Sequence, residues 1–182
     1  MKTVVIYFSG YGHTKRIAEE VAKGAEATLI AINPEGLIEE SEWTLLDEAD
    51  AIIFGSPTYM GNVAWQFKRF ADNSSKRWFS KVWDGKIFGG FSMSASLNGD
   101  KQVSLIYLQT LASQHGGIWV SLGLLPANSS TSTRKDLNAL GASVGLLTQC
   151  DSDQPADAIP EGDLKTAVYY GERVRSFAAK LK

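Results

Sequence analysis

Four short, nearly uninterrupted apolar runs constrain this chain more than any other feature: T-V-V-I-Y-F (3–8), A-I-I-F-G-S (51–56), K-I-F-G-G-F-S-M (86–93) and I-W-V-S-L (118–122). A strand with one face in water alternates apolar and polar side chains, whereas a run without alternation is apolar on both faces. Such strands belong in the middle of a parallel sheet covered by helices on each side. A weaker run, A-T-L-I-A-I (27–32), fits between the first two. Helical spacing fills the gaps. Ile17, Val21 and Ala25 make one stripe, Val63, Phe67 and Phe70 a second, and Leu105, Leu108 and Ala112 a third. The last runs from Leu164 through Ala167, Val168, Gly171, Val174 and Ala178 to Leu181. Strands alternating with helices predict an α/β fold, an open, doubly wound parallel sheet.

The 182 residues suit a single domain spanning 1–182. Two stretches break its rhythm. Residues 33–48 are acidic and hold one weak helix at most. Residues 124–160, rich in Gly, Ser, Asn and Pro, form a long loop before the last helix, either a functional insertion or a disordered segment. A formal net charge of -2 argues against nucleic acid or an anionic membrane as partner. Cys150 is the only cysteine, so no intrachain disulfide forms, and His13 and His115 stand too far apart for zinc spacing. The amino-terminal apolar run is too short for a signal peptide, and no apolar run approaches ~18 residues. The expected compartment is the cytoplasm.

Ligands of doubly wound sheets bind beyond the carboxyl ends of the strands. Three loops at that edge are polar and built of small residues. The first, Y-F-S-G-Y-G-H-T (7–14), follows the first strand. Gly10 and Gly12 let the backbone approach an anion, Ser9 and Thr14 add hydroxyls, and the following helix offers unpaired N–H groups. The motif lacks the lysine of a Walker A loop, and Lys15 stands where a dinucleotide loop has its third glycine. A single phosphate fits; so does an ordinary strand–helix turn. The second loop, S-P-T-Y-M-G-N-V (56–63), has Pro57 to stop the strand and backbone amides around Tyr59, Met60, Gly61 and Asn62. These could meet a flat heteroaromatic edge, or form a plain turn with a partly buried Tyr59. The third, S-M-S-A-S-L-N-G-D (92–100), again puts small hydroxyl residues at a strand end. Together the three describe a flat ligand bearing one phosphate.

With these loops in place the chain resembles the flavodoxin-like FMN proteins, and among them the WrbA type of NAD(P)H:quinone oxidoreductase. The resemblance rests on Y-F-S-G-Y-G-H-T-K-R-I-A-E-E-V-A-K-G-A, on G-S-P-T-Y-M-G-N-V-A-W-Q-F-K-R-F-A-D and on Q-H-G-G-I-W-V-S-L-G, with G-A-S-V-G-L-L-T-Q-C-D-S-D-Q-P and A-V-Y-Y-G-E-R-V near the carboxyl end. It implies a flavodoxin-like three-layer sandwich with a five-stranded parallel sheet of order 2-1-3-4-5. It implies FMN as cofactor, with Ser9, Gly10, Tyr11, Gly12, His13 and Thr14 at the phosphate. Pro57, Thr58, Tyr59, Met60, Gly61 and Asn62 would line the ring, and Met93, Ser94, Ala95, Ser96, Leu97 and Asn98 would close its other side. Trp78 and His115 would act at the open ring face on nicotinamide and quinone, with no metal. Family members assemble as homo-oligomers, so a dimer or tetramer is expected. The third loop here is poorer in glycine than the family's. Gln114-His115 replaces a histidine pair, so either residue could face the flavin.

The implied reaction is two-electron, ping-pong transfer from NAD(P)H through FMN to a quinone; the alternative is an electron carrier without nicotinamide activity. Each candidate also has a plain structural reading. His13 could cap a helix, His115 could end one, Trp78 could join a satellite core, and Cys150 could be an inert apolar side chain.

Overall fold

The structure is a computed structural model, and it describes residues 1–181. Its elements follow the predicted alternation. In chain order they are β1 (Thr3–Tyr7), α1 (His13–Ala25), β2 (Thr28–Ala31), α2 (Glu40–Glu48), β3 (Ala51–Tyr59), β4 (Asn62–Val63), α3 (Trp65–Asn73) and α4 (Ser75–Phe79). There follow β5 (Ile87–Ser94), α5 (Lys101–Gln114), β6 (Ile118–Trp119), β7 (Leu146–Gln149) and α6 (Glu161–Lys180).

The lack of alternation in the strands has the expected cause. On β1, Val5 and Tyr7 join a core under α1 and α6, while Val4 and Ile6 join a second core under α3 and α5. Ile53 and Phe91 take the first side, Ile52, Phe54 and Phe88 the other. Both faces are covered, so both are apolar. The two outer helices of the first side approach closely. A Cβ on Gly171 of α6 would lie 2.1 Å from the Val21 carbonyl oxygen of α1, and one on Gly24 would lie 2.0 Å from the Val168 oxygen. These two glycines set the α1–α6 distance.

The main sheet runs β2-β1-β3-β5-β6 and is parallel throughout, with β4 antiparallel on β3 and β7 parallel on β5. The predicted 2-1-3-4-5 order is present, but its fifth strand is built from two pieces. Ile87 and Phe88 pair with β6, and Phe91 to Ser94 pair with β7. The run expected as a strand to residue 122 therefore leaves the sheet after Trp119. The chain re-enters it at Leu146, inside the stretch expected to be a loop.

The excursion is ordered by Asn138, which is buried. Its amide donates to the carbonyls of Leu124 and Ala142, its side-chain oxygen accepts from the Ala142 N–H at 2.8 Å, and its own N–H donates to Thr166 of α6.

Pro57 does not stop its strand. β1 ends at Tyr7, opposite Gly55, while β3 continues beside β5 as far as Pro57 opposite Met93. Pro57 lies beyond the last β1 pair and before the first β4 pair at Thr58, so a proline there forfeits no β1 bond. The helix expected to begin near Val63 starts at Trp65, because Asn62 and Val63 fold back on β3 as β4. In the acidic 33–48 stretch one helix forms, capped where the Glu42 carboxylate accepts the Glu39 N–H at 2.8 Å. No helix among the described residues is long and apolar enough to cross a membrane.

Gly171→Ala should force α6 off α1 and cost about 2 kcal/mol or more. Urea unfolding of the two proteins side by side measures it, with the midpoint lowered and the slope unchanged.

Candidate functional site

β1, β3, β5 and β7 all end at one edge of the sheet, and a cleft of about 420 Å³ opens there. Its walls are Tyr11, His13 and Thr14 from the first loop, Pro57, Thr58 and Tyr59 from the second and Met93, Ser94 and Ala95 from the third. Cys150 and Ser152, which follow β7, complete it. Nine predicted site residues thus meet on one cavity.

The first loop is held by Ser9, whose Oγ accepts the N–H groups of Gly12 at 3.2 Å and Lys15 at 3.1 Å. Gly12 (φ +93) begins α1 in a left-handed turn. The amides of Tyr11, His13 and Thr14 donate to no protein group among the described residues. His13 Nε2 donates to the Gln154 carbonyl at 2.8 Å, tying this loop to the segment after β7. Gly10 lies against the hydroxyl end of Tyr59, and a Cβ there would stand 2.6 Å from that oxygen.

The second loop is a two-residue hairpin turn. Tyr59 pairs with Asn62, while Met60 (φ +48) and Gly61 (φ +79) are both left-handed, the pattern of a type I′ turn. Met60 is fully exposed at its tip and Tyr11 is 82% exposed beside it, with the Tyr11 and Tyr59 rings edge to face at 6.2 Å. Burial raises the Tyr59 phenol above its ordinary value, so it stays neutral.

Under the second and third loops runs a buried chain of hydroxyls. Ser92 Oγ donates to the Ser56 carbonyl at 2.8 Å, which leaves it to accept from Thr58 Oγ1 at 2.8 Å. Thr58, its proton spent, accepts in turn from Ser104 of α5 at 2.7 Å. The chain of single donors has one direction, and it clamps β3, β5 and α5 together below the cleft.

The remaining predicted residues divide. Ser9, Gly10 and Gly12 shape the first loop, Met60, Gly61 and Asn62 the hairpin tip, and Ser96, Leu97 and Asn98 the far limb of the third loop, without lining the cavity. Trp78 and His115 do not reach it at all. In a parallel sheet a residue just before a strand lies at the amino-terminal edge, and His115 ends α5 just before β6. Neither Gln114 nor His115 faces the cleft; both line a separate surface groove with Trp78, which is 52% exposed.

His115 is buried against Trp83, ring centroids 4.4 Å apart. Ser74 Oγ spends its proton on the Ala71 carbonyl, so it accepts from His115 Nε2–H at 2.9 Å. Burial lowers the imidazole to about 4, and its buried Nδ1 has no partner to receive a second proton, so the ring is neutral. Its place is structural. Sequence reasoning missed Cys150 and Ser152 on the cleft. The available signal was that C-D-S-D follows an apolar run, as the other three loops do. Burial and the neighbouring Asp151 push the Cys150 thiol up, which keeps it protonated.

The flavodoxin domain family matches residues 4–104. The chain belongs to the flavodoxin family. Among its curated flavodoxin relatives, Flavodoxin FldP of Pseudomonas aeruginosa (strain UCBPP-PA14) is 62% identical over 180 residues, covering 99% of this chain and 98% of that protein. Quinone-oxidoreductase QR2 of Triphysaria versicolor is 30% identical, covering 100% of this chain and 97% of its own length. Among solved structures, the flavodoxin, WrbA-like protein from Agrobacterium tumefaciens superposes with a TM-score of 0.83 at 52% identity. That match covers 100% of this chain and 99% of that one.

Because folded His115 resists protonation, the unfolded chain binds the extra proton between about pH 6.5 and about pH 4. Stability from this group is intact above that window and declines as pH falls through it. His115→Gln should flatten this part of a stability–pH profile measured by chemical denaturation, and an NMR titration should find the ring neutral at pH ~5.5.

Proposed function

We propose that the protein is an FMN-dependent NAD(P)H:quinone oxidoreductase. One observation carries the reading: a cleft without carboxylate or ammonium, open to a planar ring, adjoins a helix amino terminus with unspent amides. The side chains on the cleft include no carboxylate and no ammonium; hydroxyls, a thiol, apolar groups, two phenols and one imidazole line it. Such a lining suits a flat heteroaromatic ligand. Tyr11, His13 and Thr14 present free N–H groups at the start of α1, the standard setting for a phosphate. These residues fit FMN.

In this reading Ser9 to Thr14 hold the phosphate, Thr58 to Gly61 bear on one side of the ring, and Met93 to Asn98 bear on the other. When bound, FMN supplies a ring that accepts hydride and releases two electrons. The protein orients that ring, keeps its surroundings neutral through Tyr59 and Cys150, and leaves an open side. Nicotinamide and quinone would use that side in turn, which gives ping-pong kinetics. Trp78 and His115 belong to the opposite sheet edge, so a role for Trp78 at the open side requires a second copy of the chain. A homo-oligomer, dimer or tetramer, is accordingly part of the proposal. The 30% relative named a quinone oxidoreductase supports the activity.

A second reading, an FMN electron carrier, is favoured by the 62% relative named a flavodoxin and by the absence of Trp78 and His115 from the cleft of a single chain. Rapid mixing of the yellow FMN-loaded protein with NADH or NADPH decides between them. The reductase loses its visible absorbance within seconds and regains it when a benzoquinone is added, with parallel double-reciprocal plots. No response to either nicotinamide would assign the carrier.

A further inference from the structure

Lys101, the first residue of α5, is wholly buried. The location is costly twice over, because a cation opposes the dipole at a helix amino end and a buried ammonium loses its hydration. The compensation is specific. The Nζ donates to Ser94 Oγ at 2.9 Å, to the Ser96 carbonyl at 2.8 Å and to the Leu97 carbonyl at 2.9 Å, one acceptor for each proton.

All three acceptors lie in the third loop of the cleft. Ser94 itself lines the cavity, so a single hydroxyl separates the ammonium from it. The chain reaches this arrangement through two successive left-handed residues, Gly99 and Asp100, and a Cβ on Gly99 would lie 2.0 Å from Ser94 Oγ.

A second strut joins the same loop. Gln149 Nε2 donates to the Ala95 carbonyl at 2.7 Å, and the Gln149 N–H donates to Asp163 Oδ2 at 2.9 Å. Asp163 is paired with Arg134 at 2.8 Å. The carbonyls of Ala95, Ser96 and Leu97 are thus all drawn to the back of the loop. The amides of Ala95, Ser96, Leu97 and Asn98 donate to no protein group among the described residues. Behind the loop, the two cations Lys101 and Arg134 face the carboxylate of Asp163, which pairs with Arg134, while Asp151 accepts a second bond from Gln149 Nε2 at 2.7 Å.

We propose that Lys101 is a positioning residue for FMN: its ammonium ties down the third loop, so holding Ser94 and Ala95 on the cleft, and sets a buried positive charge one hydroxyl behind the ring. The proposal rests on the FMN reading given above. It makes FMN affinity depend on the charge of Lys101.

Burial lowers the Lys101 ammonium to about 8, with Asp163 of α6 opposing that shift and Arg134 of the insertion adding to it. Cys150 and Tyr59, on the cleft itself, are both pushed up and remain protonated through that pH. Affinity that needs the charged form is complete below about 8 and is lost as pH rises through that value. Stability of the FMN-free fold has the opposite sign. An unfolded lysine keeps its proton to about 10.5, so the unfolded chain binds more protons between the two values, and this group's contribution to stability rises there.

The test is FMN affinity, read from the quenching of flavin fluorescence, across about pH 7 to about pH 9 for wild type, Lys101→Met and Lys101→Arg. Circular dichroism of each FMN-free variant establishes that it is folded. Lys101→Met should bind FMN roughly tenfold more weakly at pH ~7, the size expected from charge-assisted hydrogen bonds, and should lose the wild-type decline toward pH ~9. Lys101→Arg, whose charge does not titrate there, should recover part of the affinity and also show no decline. A folded Lys101→Met protein with wild-type affinity, or one that keeps the wild-type pH profile, overturns the role of Lys101 alone. A wild-type chain that leaves FMN fluorescence unquenched overturns the FMN reading and this proposal with it.

Discussion

Seven consecutive residue pairs between β3 and β5, from Ala51 with Ile87 to Pro57 with Met93, are the constraint on which the site depends. β1 stops at Tyr7, two pairs short of the end of that ladder. The two central strands therefore project beyond their neighbour and leave a ledge, on which Thr58 and Met93 stand. Parallel pairing alone would leave the ledge free to splay. The directed hydroxyl chain from Ser104 through Thr58 and Ser92 to the Ser56 carbonyl prevents this. Each buried hydroxyl in it has a partner, so none carries the penalty of an unsatisfied polar group. Removing the Thr58 hydroxyl would leave the Ser104 proton without its acceptor and Ser92 with its bond to the Ser56 carbonyl alone, cutting the link between β3, β5 and α5.

How much of this was legible follows from what each signal measures. The strands could be read because burial on both faces writes itself into every residue of a run, as Val4, Val5 and Ile6 do. The three loops could be read because a strand end followed by small polar residues is a local pattern. Non-local events left no such mark. Pro57 reads as a stop only if β1 is assumed to accompany β3 to its end. The division of the fifth strand depends on Leu146 re-entering beside Phe91, a pairing across many residues. Lys101 shows nothing in a sequence to separate it from an exposed lysine at a helix start.

His115 and Trp78 are a different case, because the topology already contained the answer. In an open parallel sheet, residues between a helix and the next strand lie at the amino edge, away from ligands. His115 occupies that position, and its partners there, Ser74 and Trp83, complete a structural cluster. A histidine near a glycine pair invites a catalytic reading; its place in the strand–helix order argues against one within a single chain. The same rule read forward finds Cys150, which follows a strand and so lies at the ligand edge.

The charges around the cleft are arranged in depth. Its own lining holds no carboxylate and no ammonium, and the nearest ammonium sits one hydroxyl behind it, shielded from water by the third loop. In water a lysine at that distance would be screened to little effect, but inside the protein its field reaches the cleft with far less loss. In the proposed FMN reading the anionic end of the ligand would be met by backbone amides at the start of α1, whose partial charges do not titrate. A phosphate site built from fixed dipoles and a ring site biased by one titratable cation respond differently to pH. In that reading the first would supply a share of the affinity that does not change with pH, and the second the share that falls as Lys101 loses its proton.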